Sequence, residues 1–310
     1  MIYRKTLRHI IGWLIAVIII VILARTIYIN REELLAWDWK FNWYYLLLSM
    51  ILLMGAYLTA SQAWRTIITG FGFQLRLHEA FRVVYLANLG RYIPGKVWQV
   101  FGMVGLAKEL GIPAPTSLAS FALVQGYMLP ASFLLVPILL GRGEALKSLM
   151  IYRDLTYLVM GLVLLVFLIL FFLPGGLNWS LNRILKIFRQ EPVNYRPRFT
   201  NRIAIFFWYL VTWLLFGLSF HVFLVALIPQ SGISPDFSSG AYIAAYNMGY
   251  ISFISPGGLG VREWVMKILL APYIGVPLAA SIALTHRIWI TIGEAFMSLL
   301  ALLTYRIKSK

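Results

Sequence analysis

Residues 255–263 read SPGGLGVRE, a run with one proline, three glycines, an arginine and a glutamate inside a region that is otherwise strongly apolar. Proline disrupts a helix, glycine loosens the backbone, and charged side chains are costly to bury in a membrane. At membrane depth such a break is tolerated only where protein or a water-filled cavity satisfies the backbone. The run therefore predicts a broken segment that faces the interior of a membrane protein.

The composition of the whole chain indicates an all-α integral membrane protein. Of its 310 residues, 61% are hydrophobic and only 12% are charged, which is about half the charged fraction of an average soluble domain. Apolar runs of roughly 20 residues can cross a bilayer as helices. Six full transmembrane helices are predicted at about 10–29, 43–63, 116–140, 155–173, 203–228 and 277–305. No polar stretch is long enough for a soluble domain, and we interpret residues 1–310 as a single polytopic transmembrane domain.

Two further apolar regions, at about 83–107 and 238–275, are interrupted by glycine, proline and charge. Basic residues place both termini and the stretch 178–202 in the cytoplasm. This orientation requires each broken region to enter and leave the membrane on the same side. At 25 and 38 residues, the regions are short for two full crossings, and we expect re-entrant hairpins. ANLGRYIPG (87–95) is similar to YNMGYISFISPGG (246–258), which indicates an inverted repeat of the kind that builds transporter sites.

Charge and motif content narrow the function classes. The net charge of +16 is attributed to loops held against an anionic cytoplasmic leaflet rather than to a nucleic-acid partner. The chain has no cysteine, its four histidines lack metal-ligand spacing, and we find no nucleotide-binding or hydrolase motif. We expect no cofactor, no metal and no nucleic acid, and we favour transport over catalysis, with an enzyme kept as an alternative.

Charges within or beside the apolar segments supply the candidate site. A helix that begins after a Pro-Gly turn offers free N–H groups beside a cation, and this arrangement binds anions such as a lipid phosphate. The expected substrate-binding residues are Arg91, Lys96, Gly257, Gly258, Arg262 and Arg287. The alternative for the basic residues is that they reach the lipid headgroups. Glu263 and Glu294 are candidates for proton coupling or for ion pairs, for instance between Glu263 and Arg287.

Four stretches of the chain resemble the lysylphosphatidylglycerol synthase transmembrane-region family of flippase-like membrane proteins. They are GRYIPGKVW (90–98), AKELGIP (107–113), SPGGLGVREW (255–264) and HRIW followed by GE (286–294). The resemblance covers almost the whole chain and implies a polytopic fold with re-entrant elements that moves an aminoacylated phospholipid between leaflets. We do not expect the chain to synthesise that lipid, because it shows no counterpart of the soluble synthase domain of the best-known members.

One departure from the family pattern bears on the substrate. The pattern implies a glutamate where this chain has Gln125, within FALVQGYML (121–129), and this argues against a lysine-bearing lipid. We expect a multi-pass flippase of the inner (cytoplasmic) membrane, with both termini cytoplasmic, for a phospholipid or a polyprenyl-phosphate-linked lipid. The alternative is a membrane enzyme or an accessory subunit that acts on polyprenyl-phosphate-linked sugars in envelope glycan assembly. A separate lipid synthase or glycosyltransferase is a further expected partner.

Overall fold

The computed structural model describes residues 39–92, 98–140, 175–252 and 258–306, together with the short pieces 25, 28–29, 31–36, 158, 161–165 and 167–168. These residues form helices and connecting loops, with no β-strand among them. The α-helices are α1 Arg31–Ala36, α2 Trp43–Thr69, α3 Leu77–Asn88, α4 Trp98–Lys108, α5 Ala114–Leu140, α6 Gly176–Ile187, α7 Phe199–Leu227, α8 Pro235–Ile251, α9 Val261–Ile274 and α10 Val276–Arg306. Short 3-10 helices occupy Leu89–Tyr92 and Pro229–Ser231.

Four of the described helices, α2, α5, α7 and α10, are long enough and apolar enough to cross a membrane. They correspond to four of the six predicted spans. The predicted spans 10–29 and 155–173 lie largely outside the described residues. Helix α2 continues six residues beyond its predicted end at 63, because Trp64, Ile67 and Ile68 remain buried against neighbouring helices.

The first broken region is a pair of antiparallel helices, α3 and α4. Near its tip the side-chain amide of Gln99 donates to Asn88 Oδ1. At its open end Arg82 Nη2 lies 3.9 Å from Glu109 Oε2. The hairpin therefore begins and ends at the same end of the helix bundle, and residues 93–97, which join its two helices, lie outside the described residues.

The second broken region has the same arrangement in α8 and α9. Near its tip Gly249 lies against the side chain of Arg262. At its open end the rings of Phe237 and Tyr273 are 4.6 Å apart between centroids. This hairpin also begins and ends at one end of the bundle, and residues 253–257 lie outside the described part of the chain.

Two units of the same design make up most of the described structure. Each has a long helix, a hairpin of two shorter helices and a second long helix: α2 to α5, and α7 to α10. The first helices of the two units pack antiparallel, because Thr59 Oγ1 is 2.8 Å from Thr212 Oγ1 and Asn42 N donates to Ala226 O at 3.0 Å. The units therefore run in opposite directions, and their hairpins enter from opposite ends of the bundle.

Loops of the two units meet at one end of the bundle. Arg196 N donates to the carbonyl oxygen of Gly70 at 2.9 Å, and the ring of Tyr195 packs on Phe71. Helix α7, with 29 residues and a length of about 43 Å, places the Pro229–Ser231 turn at the opposite end. The basic loops after α2 and before α7 thus lie together, far from the loop that lacks lysine and arginine.

The stretch 178–202, which its basic residues placed in the cytoplasm above, contains part of an amphipathic helix, α6. Leu181 and Leu185 of α6 are buried, whereas Arg183 and Lys186 are exposed. The apolar positions recur at a spacing of four, which places them on one helix face. The number of polar residues hid this pattern in the sequence.

The hydrophobic core lies mainly between α5, α7, α8, α9 and α10. A smaller cluster joins α2, α3 and α10. Several of the largest fully buried side chains are aromatic groups with a polar atom, namely Trp64, Trp213, Tyr127, Tyr209 and Tyr242. Such side chains make a core apolar in bulk but polar at specific points, and some of them surround the cavity described next.

Candidate functional site

A cavity of about 330 Å³ lies between the two hairpins. Asn88 and Gln99 face it from the first hairpin, and Tyr246 and Arg262 face it from the second. Glu294 of α10 completes this part of the wall, and α2, α5 and α7 contribute the rest. Because the hairpins come from opposite ends of the bundle, the cavity lies in its interior.

Arg262 brings a positive charge to this cavity from the first turn of α9. The residue is only 7% exposed. Its guanidinium carbon lies 4.4 Å from the ring centroid of Tyr246 and 5.7 Å from that of Tyr242, and Nη2 is 3.4 Å from the Tyr242 hydroxyl. Cation–π contacts of this kind partly compensate for the lost hydration of a buried guanidinium group. The arrangement keeps a charged group beside an interior space.

Two glycines make room for the Arg262 side chain. A Cβ atom added to Gly249 would collide with Arg262 Cγ, and one added to Gly258 would lie 3.0 Å from Gly249 O and 3.1 Å from Arg262 Cδ. Gly258 also has φ of +73°, a conformation that glycine adopts readily and other residues do not. Gly258, predicted above as a substrate-binding residue, thus lies close to Arg262 and to the α8 backbone. Gly257, its neighbour in the prediction, lies outside the described residues.

Glu263, the residue after Arg262, contacts the start of α9 and Arg287. Its Oε2 accepts a hydrogen bond from Gly260 N at 2.7 Å, and its Oε1 lies 3.9 Å from Arg287 Nε. A carboxylate at this position satisfies a free N–H group and complements the positive end of the helix. The N-terminus of α9, expected above to bind a lipid phosphate, therefore carries the chain's own Glu263, and the positive group that lines the cavity is the Arg262 side chain.

A second and much smaller space, of about 10 Å³, adjoins the Glu263–Arg287 pair. Arg262 and His286 also line it, and the centroid of the His286 ring lies 4.5 Å from that of the Phe220 ring. A volume of this size holds about one water molecule. Arg287 of α10 therefore contacts Glu263 of α9, and it is not among the residues that line the main cavity.

Glu294 places a carboxylate in the main cavity. It is 7% exposed, and Oε1 accepts a hydrogen bond from the Tyr57 hydroxyl at 3.2 Å. Among the described residues that line the cavity, Arg262 and Glu294 are the charged ones. The cavity wall thus offers one group for an anion and one for a cation or a proton.

The remaining predicted site residues belong to the tip of the first hairpin. The backbone of Arg91 is part of the 3-10 helix Leu89–Tyr92 that follows α3, and its side chain lies outside the described part of the structure. Lys96 lies outside it as well. The described site accordingly contains Arg262, Gly258 and Glu294 of the predicted residues, with Glu263 and Arg287 behind it.

Uncharged polar residues complete the site, and the sequence reasoning did not select them. Tyr242, Tyr246 and Tyr250 recur every four residues in AYIAAYNMGY (241–250), a spacing that aligns them on one face of α8. All three line the cavity, and the Tyr250 hydroxyl donates to Gln125 Oε1 at 2.6 Å. The tyrosine at every fourth position was the sequence signal that could have identified these residues.

Among the described residues, no group of three histidine, aspartate or glutamate side chains is placed to hold a metal ion.

The chain matches the model of a known protein family. The sequence model of the family described as "Lysylphosphatidylglycerol synthase TM region" matches residues 9–293, which includes both hairpins and the described residues of the cavity wall except Glu294. No curated protein matches the chain significantly.

Proposed function

Because this chain belongs to the lysylphosphatidylglycerol synthase transmembrane-region family, we propose that it is a flippase that moves a phosphate-bearing lipid between the leaflets of the cytoplasmic membrane. The observation that carries the proposal is the buried guanidinium group of Arg262, which faces a cavity between two helical hairpins. The four long apolar helices support an integral membrane protein, and the cavity gives it an interior site.

The energetic cost of Arg262 supports a functional role. A charged side chain at the centre of a membrane costs about 3 kcal/mol or more, and Arg262 keeps such a group at the wall of an interior cavity. A lipid phosphate that enters the cavity would meet this guanidinium group, which can bind two phosphate oxygens at once. The position of Arg262 thus suits a ligand that brings a negative charge into the bilayer.

The hairpins are proposed to be re-entrant. Helices α3 and α4 have 12 and 11 residues, or about 18 and 17 Å, whereas the hydrocarbon core is about 30 Å thick. Helices α8 and α9 have 17 and 14 residues, or about 26 and 21 Å. Each hairpin would enter from one face, turn beside the cavity and return to the same face. Alternating displacement of the two hairpins would then expose the phosphate site to one leaflet at a time.

The orientation follows from the basic residues. Arg76, Arg183, Lys186 and Arg189 lie in the loops and the helix at the end where Gly70 meets Arg196, and the loop around Ser234 has no lysine or arginine. The positive-inside rule then favours a cytoplasmic location for the first end. Helix α10 begins beside the opposite end and runs back, so a cytoplasmic C-terminus is consistent with this orientation.

The other charged residues take separate roles in the proposal. Arg91 and Lys96 would add positive charge from the first hairpin. Glu294 would bind a proton or a cationic group of the substrate, because it faces the same cavity as Arg262. Glu263 and Arg287 would keep α9 in place and thereby position Arg262.

The decisive experiment measures leaflet exchange of a fluorescent phospholipid in vesicles reconstituted with the purified chain. Arg262→Ala should abolish exchange above the rate in protein-free vesicles while the protein still inserts and purifies as one species. Arg82→Ala is a matched control, because Arg82 is also 7% exposed but does not line the cavity. Unchanged exchange in Arg262→Ala would remove this residue from the mechanism.

The same purified protein can be used to distinguish a flippase from a membrane enzyme and from an accessory subunit. Turnover of a polyprenyl-phosphate-linked sugar in detergent, where no leaflets exist, would support a membrane enzyme. Stoichiometric purification with a synthase, combined with no exchange by the chain alone, would support an accessory subunit. Exchange by the purified chain, lost in Arg262→Ala, would support the flippase.

A further inference from the structure

We propose that the cavity selects lipids whose phosphate carries an uncharged polyhydroxyl group, such as glycerol or a sugar, and that the amide side chains of Asn88, Gln99 and Gln125 bind its hydroxyl groups. This inference rests on the proposed function, in which Arg262 binds the phosphate. It adds a second recognition element, which distinguishes one phosphate-bearing lipid from another.

The three amides have hydrogen-bonding capacity to spare. Gln99 Nε2 donates to Asn88 Oδ1, and Gln125 Oε1 accepts from the Tyr250 hydroxyl. Within the described part of the chain, Asn88 Nδ2, Gln99 Oε1 and Gln125 Nε2 have no protein partner, and all three residues line the cavity. Polar groups in an apolar interior are normally satisfied, because leaving them unpaired costs free energy. Two donors and one acceptor of neutral type match hydroxyl groups, which both donate and accept.

The aromatic wall suits the same kind of ligand. Six tyrosines line the cavity together with two tryptophans: Tyr57, Tyr85, Tyr209, Tyr242, Tyr246, Tyr250, Trp64 and Trp213. Their rings offer apolar faces to the C–H groups of a polyol or sugar, and the polar atoms at their edges offer further hydrogen bonds. Mostly aromatic walls with a few placed polar groups are typical of sites for small organic groups.

The placement of the amides fits a headgroup that extends away from its phosphate. Asn88 and Gln99 belong to the first hairpin, whereas Arg262 belongs to the second, and the cavity lies between them. Its volume of about 330 Å³ is near the lower end of the range for ligand sites, about 300 to 1,000 Å³. The cavity therefore suits a headgroup, and the acyl chains would remain in the bilayer.

An amine-bearing headgroup is the competing substrate class. Glu294 would recognise its ammonium group, and it is the one carboxylate among the described residues of the cavity wall. Three neutral amides with free polar groups face the same space, and hydroxyl groups satisfy both the donors and the acceptor among them. We therefore favour the polyhydroxyl headgroup and use the amine as an arm of the test.

The test measures binding of three phospholipids with identical acyl chains to the full chain in detergent, by the shift of its thermal unfolding. Phosphatidylglycerol carries hydroxyl groups, phosphatidylethanolamine carries an amine, and phosphatidic acid carries the phosphate alone. Phosphatidylglycerol should bind at least about fivefold more tightly than either of the others, as expected for one additional net hydrogen bond.

Replacing a glutamine by methionine, a side chain of similar length, then tests which residues cause the preference for a polyhydroxyl headgroup. Gln99→Met and Gln125→Met should each weaken phosphatidylglycerol binding about fivefold and leave phosphatidic acid binding unchanged. Gln62→Met is the matched control, because Gln62 is also partly buried but does not line the cavity; it should change neither affinity. Unchanged phosphatidylglycerol binding in both cavity variants would overturn the proposal.

Each of the other possible binding results leads to a different conclusion. Equal affinity for the three lipids would overturn the headgroup preference while leaving the phosphate site intact. Tighter binding of phosphatidylethanolamine, lost in Glu294→Gln, would replace the polyol by an amine. If Arg262→Ala leaves phosphatidic acid binding unchanged, the proposed function fails instead. Free glycerol 1-phosphate, phosphoethanolamine and inorganic phosphate form a parallel series, and tighter binding of the free ester than of the lipid would overturn a lipid headgroup as the ligand.

Discussion

Ser49 and Ser219 each donate a hydroxyl hydrogen bond to the backbone carbonyl oxygen of the other, both at 2.8 Å, where α2 crosses α7. The two residues are 0% and 1% exposed. Trp289 of α10 adds a third partner, because its Nε1 donates to Ser49 Oγ at 3.1 Å. Each serine makes the same hydrogen bond to the other. At this point α2 and α7, the first helices of the two oppositely directed units, therefore make equivalent contacts. The pair thus marks the contact on which the mutual arrangement of the units depends.

Substitution of this pair should be non-additive. Ser49→Ala and Ser219→Ala should each lower the free energy of unfolding by about 1 kcal/mol, and the double variant should lose about 0.5 to 1.5 kcal/mol less than the sum. The measurement is denaturant unfolding in one detergent. Ser180→Ala, which removes a hydrogen bond within α6, should be additive with Ser49→Ala. Additive losses in the Ser49 and Ser219 pair would show that the two hydrogen bonds act independently and would contradict the expected coupling.

Gly249→Ala should disable the site without preventing folding. The new methyl group would meet Arg262 Cγ and push the guanidinium group away from the Tyr246 ring. We expect lipid exchange in vesicles to fall by about tenfold or more, as for the loss of a charge-assisted contact. Gly126→Ala is the control, because nothing lies within 4 Å of the added Cβ and the residue does not line the cavity. Full exchange by Gly249→Ala would mean that the placement of Arg262 is unimportant.

Arg262→Lys should recover only part of the activity lost in Arg262→Ala. An ammonium group keeps the charge but cannot bind two phosphate oxygens in the geometry of a guanidinium group. It also stacks less well on Tyr246. Exchange should lie between the rates of the parent and of the alanine variant when compared at equal protein density. A lysine variant as active as the parent would show that charge alone is sufficient.

Glu263→Gln should affect stability more than transport. The amide loses the ion pair with Arg287 and weakens the hydrogen bond from Gly260 N, and we expect a loss of about 1 to 3 kcal/mol in unfolding free energy. A cycle with Arg287→Gln should show coupling between the two sites. Exchange, measured from pH 5 to 8, should keep the pH dependence of the parent. A pH dependence that is present in the parent and flattened in the variant would instead identify Glu263 as a proton carrier.

The two ends of the bundle should label from opposite sides of the membrane. The chain has no cysteine, so Glu191→Cys and Ser234→Cys, at exposed positions of the two ends, introduce single labelling sites. A membrane-impermeant thiol reagent added to intact cells should modify the Ser234 variant, whereas the Glu191 variant should react only after permeabilisation. Labelling of both from the same side would contradict the arrangement of the helices about α7.

Periodicity and composition predicted the long helices well, because burial against lipid or protein leaves an apolar run of fixed length in the sequence. The hairpins were visible as well, since Pro94-Gly95 and Pro256-Gly257 interrupt otherwise apolar segments. The partners of the charges were harder to predict. The sequence places Arg262 and Glu263 side by side, yet one faces the cavity and the other turns to Gly260 and to Arg287.

The uncharged polar residues of the site were the hardest to predict from the sequence. Asn88 and Gln125 are separated by 37 positions, and Gln125 meets Tyr250 only through packing of α5 against α8. A single amide in a sequence carries no sign of whether it will face a cavity or a helix backbone. Whether an amide faces the cavity depends on contacts between segments that are distant in the chain, and local sequence patterns do not predict such contacts.

The opposite directions of the two units have a consequence for energetics. A conformation open to one face and a conformation open to the other would be built from nearly the same helix contacts, with the two units exchanging places. Their free energies would then be close, separated mainly by residues that the units do not share, such as Arg262 on one hairpin and Gln99 on the other. A flippase built in this way would have no intrinsic preferred direction. Net flow would go from the leaflet where the lipid is made to the leaflet where it is consumed.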